Sequence, residues 1–93
     1  MDREKARGVL TDELKAYRSR TYSQLRALIG GLRAFGVANN GGHPYQIEIQ
    51  VVWDGKAGGE IRVLGAIDDG GWSAFRPVTG DFIVGPDGVL PAP

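Results

Sequence analysis

Residues able to do chemistry are few in this chain. Cysteine is absent, and His43 is the single histidine among 93 residues. A disulfide framework, a thiolate zinc site, an iron–sulfur cluster, a cysteine nucleophile and a multi-histidine metal site are thereby excluded. Asp68 and Asp69 could act as acid and base, or hold a hard cation together with Asp54. Adjacent strand residues point to opposite faces, however, and an aspartate opening a turn commonly binds its own backbone. A calcium loop would need more oxygen ligands at alternate positions. His43 precedes Pro44 in a glycine-rich stretch, with no Asp or Ser at a spacing that suggests a triad. The run Gly55-Lys56-Ala57-Gly58-Gly59 hints at a phosphate cradle. A P-loop needs Ser or Thr after its lysine and a helix after its glycines; here Ala57 and a strand pattern follow. No catalytic residue, metal site or cofactor is therefore expected. His43, Asp68 and Asp69 remain an alternative site for a small ligand or a minor enzyme.

Charge narrows the partners. Eleven basic and eleven acidic side chains give a formal net charge of zero, unlike a strongly basic binder of nucleic acid. The distribution is uneven: residues 1–35 hold eight Lys/Arg and four Asp/Glu, residues 36–93 three and seven. Lys15, Arg18, Arg20, Arg26 and Arg33 could meet an acidic partner or phosphates, but such runs usually form solvated faces. Base-reading side chains on a presented helix do not stand out, so nucleic acid is not an expected partner. No apolar run approaches the roughly 20 residues needed to span a bilayer, and the charged N-terminal decade has no export-signal core. The expectation is a cytoplasmic protein without a membrane partner.

The elements that would position these residues follow from periodicity. Ala6, Leu10, Leu14 and Tyr17 recur at helical spacing and predict one amphipathic helix. Gly8 weakens its interior by about 1 kcal/mol against alanine, leaving Thr11 as an alternative start. Thr21-Tyr22-Ser23-Gln24 fits a capping box, followed by a buried stripe of Leu25, Leu28, Ile29 and Leu32 and a stop near Gly30-Gly31. Residues 33–44, rich in Gly and Asn, read as a loop.

After residue 44 the period changes to two. Tyr45, Ile47, Ile49, Val51 and Trp53 alternate with polar residues, as do Ile61, Val63, Gly65 and Ile67 with their neighbours. Facing the two apolar sets requires pairs such as Trp53 with Ile61, Val51 with Val63 and Ile47 with Ile67. Asp69-Gly70 suits a two-residue turn, which would set Ile67 beside Trp72 and Leu64 beside Phe75. Pro77 and Gly80 would then break that third strand, residues 81–84 form a fourth, and Pro86-Asp87-Gly88 turn the chain toward Val89-Leu90. The fold expected is α+β in one domain spanning residues 1–93. An N-terminal helical hairpin (residues 2–32) packs on one face of an antiparallel meander of three to five strands (residues 45–90) in two layers.

Alternation also sorts the faces. Tyr45, Trp53 and Trp72 fall with the isoleucines in the core, whereas Leu64, Phe75 and Val52 fall on the other face among Gln50, Glu48 and Arg62. If the helices cover one side only, Gln50, Val52, Arg62, Leu64 and Phe75 form an apolar patch with a polar rim. Such patches mark interfaces. The competing expectation is that residues 89–91 fold back over the patch, or that the third strand shifts register.

The stretch Gly70-Gly71-Trp72-Ser73-Ala74-Phe75-Arg76-Pro77, continuing through Asp81-Phe82-Ile83-Val84 to Pro86-Asp87-Gly88, resembles a group of small, uncharacterised bacterial α+β proteins. The resemblance implies the helices-then-meander order and a bacterial origin, and it implies no activity and no functional residue. The function expected is binding, to a protein partner or to a second copy of the chain, through the outer sheet face.

Overall fold

The computed structural model describes residues 1–71 and 76–89. Helix α1 spans Arg3–Arg18, α2 Tyr22–Arg26, and strands β1 to β5 span Leu32–Val37, Tyr45–Trp53, Ile61–Asp68, Val78–Gly85 and Gly88–Val89. The strands form one antiparallel sheet in chain order, β1-β2-β3-β4-β5. The chain is thus α+β, with a long helix packed on a meander sheet. Trp72, Phe75 and Leu90 lie outside the described residues.

Helix α1 starts where its first donors find an acceptor. The Asp2 carboxylate accepts from the Lys5 amide at 3.0 Å and fills the N-cap role. The helix runs straight through Gly8 and ends with Lys15 and Arg18 in its last turn, where cations suit the unpaired carbonyls. Its buried residues are Ala6, Leu10, Leu14 and Tyr17, the stripe expected from the spacing.

The capping box at Thr21 is present. Thr21 Oγ1 accepts from the Gln24 amide at 3.1 Å, and Gln24 Oε1 accepts from the Thr21 amide at 2.8 Å. Thr21→Ala is expected to lower stability by about 1 kcal/mol, seen as a lower urea midpoint; an unchanged midpoint contradicts the cap's contribution. The helix it opens is shorter than expected. Only Leu25 of the anticipated stripe is fully buried; Leu28 is 36% exposed and Leu32 61% exposed. The chain leaves the helix after Arg26, turns through residues 27–30 and closes at Gly30 with φ +89°.

Leu32 then begins β1, where a loop over residues 33–44 was expected. That expectation is corrected: Leu32 to Val37 pair with Gln50 to Tyr45, so only the remainder of the stretch is loop. Arg33, Phe35 and Val37 face the same side as Ile49, Ile47 and Tyr45. No alternation marks this strand, because apolar residues fall on both of its faces and Arg33 stands on the inner one.

The β2–β3 register is the expected one, with Trp53 opposite Ile61, Val51 opposite Val63 and Ile47 opposite Ile67. The connecting loop is closed by the Asp54 amide donating to the Glu60 carbonyl at 2.8 Å, and Tyr22 Oη of α2 donates to the Gly59 carbonyl at 2.7 Å. Gly55-Lys56-Ala57-Gly58-Gly59 is thus a hairpin loop, with Gly55 and Gly58 at positive φ.

The β3–β4 pairing differs from expectation. Ile67 lies opposite Val78 and Leu64 opposite Asp81, where Trp72 and Phe75, both outside the described residues, were expected. A tight turn at Asp69-Gly70 loses to the apolar match of Val78, Phe82 and Val84 with Ile67, Val63 and Ile61, which keeps one face dry. β4 is also continuous through Gly80, merging the two segments expected on either side of it.

Gly80 is tolerated for a reason. It pairs with Gly65, and both face α1. A Cβ at Gly65 would stand 2.7 Å from Leu10 Cδ1, and one at Gly80 would stand 3.3 Å from Leu14 Cδ1. The two glycines form a groove that receives Leu10 and Leu14. Helix and sheet lock there.

The core gathers α1, Leu25 and the inner sheet face, including Tyr45, Ile47, Ile49, Val51, Ile61, Val63, Ile67, Val78, Phe82 and Val84. Trp53 is half-buried against this cluster. The helix covers β3 and β4 far more than β1, whose inner residues Phe35 and Val37 are half-buried and Arg33 exposed.

Candidate functional site

Four of the five residues expected on the outer face are brought together there. Gln50 lies opposite Leu64, and Val52 lies opposite Arg62, all on the side of the sheet away from α1. Phe75, the fifth, lies outside the described residues. β1 adds Leu32 opposite Gln50 and Ala34 opposite Glu48, while β4 adds Asp81 opposite Leu64 and Ile83 opposite Arg62. Leu64, Val52, Ala66 and Ile83 are half-buried, and Leu32 is the most exposed large apolar side chain among the described residues. A shallow hollow of about 330 Å³ crosses the middle of this face, between Leu32 at one side and Thr79 and Asp81 at the other.

The polar part of the face is organised by Arg62. Its Nε donates to Asp54 Oδ1 at 2.9 Å, and its Nη1 donates to Asp81 Oδ2. The hydrogen bond to Asp54 holds the guanidinium above its ordinary range, with the negative charges of Asp54 and Asp81 adding to the effect. One cation thus pins two carboxylates from the β2–β3 loop and from β4. Glu48 and the glutamines Gln46 and Gln50 complete an exposed polar row on β2. The result is a mixed surface with apolar contacts, amide donors and acceptors, and carboxylates in fixed positions.

Of the alternative residues, both aspartates have partners and the His43 side chain is exposed. Asp68 Oδ1 accepts from the Gly70 amide at 2.8 Å, the turn chemistry expected of an aspartate in that position. Asp69 Oδ2 lies 3.7 Å from the N-terminal ammonium of Met1. His43 is exposed in the β1–β2 loop, and its backbone carbonyl accepts from Asn39 Nδ2 at 3.2 Å. Among the described residues, no group of three His, Cys, Asp or Glu side chains is placed to hold a metal ion.

The basic residues of the helical third do not form one stripe. Arg18 stacks over Phe82, Arg20 over Tyr17, Arg26 over Trp53 and Arg33 over Phe35, at 4.5–5.8 Å from the ring centres. Lys15 pairs with Asp12 one turn earlier. No described helix is long and apolar enough to cross a membrane.

Two features were not anticipated from the residues. One is β1, which forms a sheet edge and carries Leu32 to the rim of the outer face. The other is a second hollow on the inner side, where the end of α1 faces β1 and β2. The mostly apolar run over residues 32–37 was the signal available for the first, with no alternation to mark its faces. Nothing local signalled the second, which depends on the turn after α2. Comparison of the chain with family models, with curated proteins and with solved structures found no match in any of the three.

Proposed function

We propose that this protein is a small interaction domain that works through the outer face of its sheet, binding another protein or a second copy of itself. On this reading the two helices form one layer and the sheet the other, and recognition falls to the sheet's uncovered side. The observation that carries it is the pairing of Leu32, Leu64, Val52 and Ile83 with a fixed polar set on one face, while α1 covers the opposite face. Apolar groups rimmed by polar ones are the ordinary composition of a protein interface. The Arg62 bridges favour the reading further, because they order Asp54 and Asp81 before a partner arrives and so reduce the entropy lost on binding.

Sedimentation velocity over a concentration series separates the two forms of the proposal. Self-association raises the mean mass with concentration in the wild type and fails to do so in Leu64→Ser. A mass that stays at one chain throughout assigns the face to a different protein. A mass that rises equally in both places self-association elsewhere on the molecule.

A further inference from the structure

Beyond the outer face, the inner side of the β1 edge carries a second hollow of about 340 Å³. Its walls come from three parts of the chain that only the fold brings together. Tyr17 and Arg20 close it from the end of α1, Leu28 from the turn after α2, and Arg33, Ile49 and Val51 from β1 and β2. Ile49 and Val51 are almost wholly covered, so the accessible apolar lining comes from Leu28 and from Leu32 at the start of β1, beside the two arginines. This volume and composition match small-molecule sites, which are mainly apolar with a few placed polar groups.

The two guanidiniums are positioned without a carboxylate. Arg20 stacks on the Tyr17 ring at 4.6 Å and Arg33 on the Phe35 ring at 4.5 Å. Arg33 Nη1 also lies 3.5 Å from Tyr17 Oη, so the phenol stands between both arginines. The ion pairs among the described residues involve Met1, Lys15 and Arg62; neither Arg20 nor Arg33 takes part. Stacking holds each planar fork while leaving its N–H edges available, the arrangement suited to a carboxylate accepting parallel hydrogen bonds. An apolar lining beside two guanidiniums that have no carboxylate partner is complementary to a molecule with one anionic head and a hydrocarbon body.

We propose that the hollow between Tyr17, Arg20, Leu28 and Arg33 binds a small apolar monocarboxylate, with its carboxylate at the two arginines and its hydrocarbon against Leu28 and Leu32. Free phosphate lacks the apolar body that the apolar lining requires. An alcohol of the same length lacks the charge.

Octanoate and octanol, titrated separately into the 15N-labelled full chain at neutral pH, test this directly. Octanoate is expected to shift the amide resonances of Arg33, Ile49 and Val51 saturably, and octanol to bind at least about tenfold more weakly, the effect of losing charge-assisted hydrogen bonds. Arg20→Gln with Arg33→Gln should weaken octanoate to the level of octanol, because Arg20 is half-buried, Arg33 exposed and neither belongs to the core. Equal binding of acid and alcohol, shifts confined to another face, or no shift at millimolar octanoate each overturns the proposal. The acid-against-alcohol comparison needs no variant, so a failure of the double substitution to fold leaves the test intact.

Discussion

Leu10→Ala is expected to destabilise the protein by about 2–5 kcal/mol, the range for truncating a buried leucine. Leu10 is 2% exposed, and its two terminal methyls lie over the Gly65–Gly80 pair. No other side chain can fill the space from below, because the sheet residues beneath are glycines. The complementary change, Gly65→Ala, is expected to cost about 1–3 kcal/mol by overpacking. The new methyl would meet Leu10 Cδ1 at 2.7 Å, Ile49 Cδ1 at 3.2 Å and Leu14 Cδ2 at 3.3 Å. Each change relieves part of the other's defect. The double variant should therefore be more stable than the sum of the two losses by about 1 kcal/mol, within the range seen for residues in contact. Urea midpoints of the four proteins measure this. Strictly additive losses would mean that α1 does not sit in the glycine groove.

Val63→Ser and Leu64→Ser should differ sharply although the residues are neighbours. Val63 is fully buried on the α1 side, and Leu64 is half-buried on the other. Serine at 63 removes apolar burial and places a hydroxyl where no water reaches, a loss of about 3 kcal/mol or more. Serine at 64 should cost about 1 kcal/mol or less, as surface changes do. Thermal or urea unfolding of both variants decides the point. A loss at Leu64 equal to that at Val63 would mean the outer face is covered, and the proposed binding surface would go with it.

The core was legible because it rests on simple periods. Ala6, Leu10, Leu14 and Tyr17 are four residues of one helical stripe, and a single register makes Ile47, Val51 and Trp53 face Ile67, Val63 and Ile61. A slip of one residue would turn each of these toward water, so the hydrophobic effect selects the pairing without help from the turn. Prediction was poorer where local preference and tertiary packing compete. Asp69-Gly70 is a strong hairpin signal, yet Val78 and Phe82 lie opposite Ile67 and Val63, whereas a two-residue turn would set the charged Arg76 opposite Val63. Leu28, Ile29 and Leu32 have helical spacing with Leu25, but a five-residue helix ends before it can use them. The strand at Leu32–Val37 gains its hydrogen bonds from β2, a partner that the isolated segment does not reveal.

The candidate surface was partly legible for the same reasons. Gln50, Val52, Arg62 and Leu64 were sorted correctly by alternation alone, since strand period decides the face whatever the neighbour. Leu32 and Asp81 joined them through strand order, which alternation does not specify. The bridge from Arg62 to both Asp54 and Asp81 joins the β2–β3 loop to β4, and no spacing within the chain encodes it. The inner hollow depends on even less local information, because Tyr17, Arg33 and Ile49 meet only after the sheet has formed.

The most direct test of the outer face as a binding surface is affinity capture from lysate of the source organism, read by mass spectrometry. Wild-type protein is compared with the double variant Leu32→Ser/Leu64→Ser, after circular dichroism and urea unfolding have shown the variant folded. The account predicts a protein, or untagged copies of the same chain, retained by the wild type and lost by the variant. Identical capture by both would contradict it.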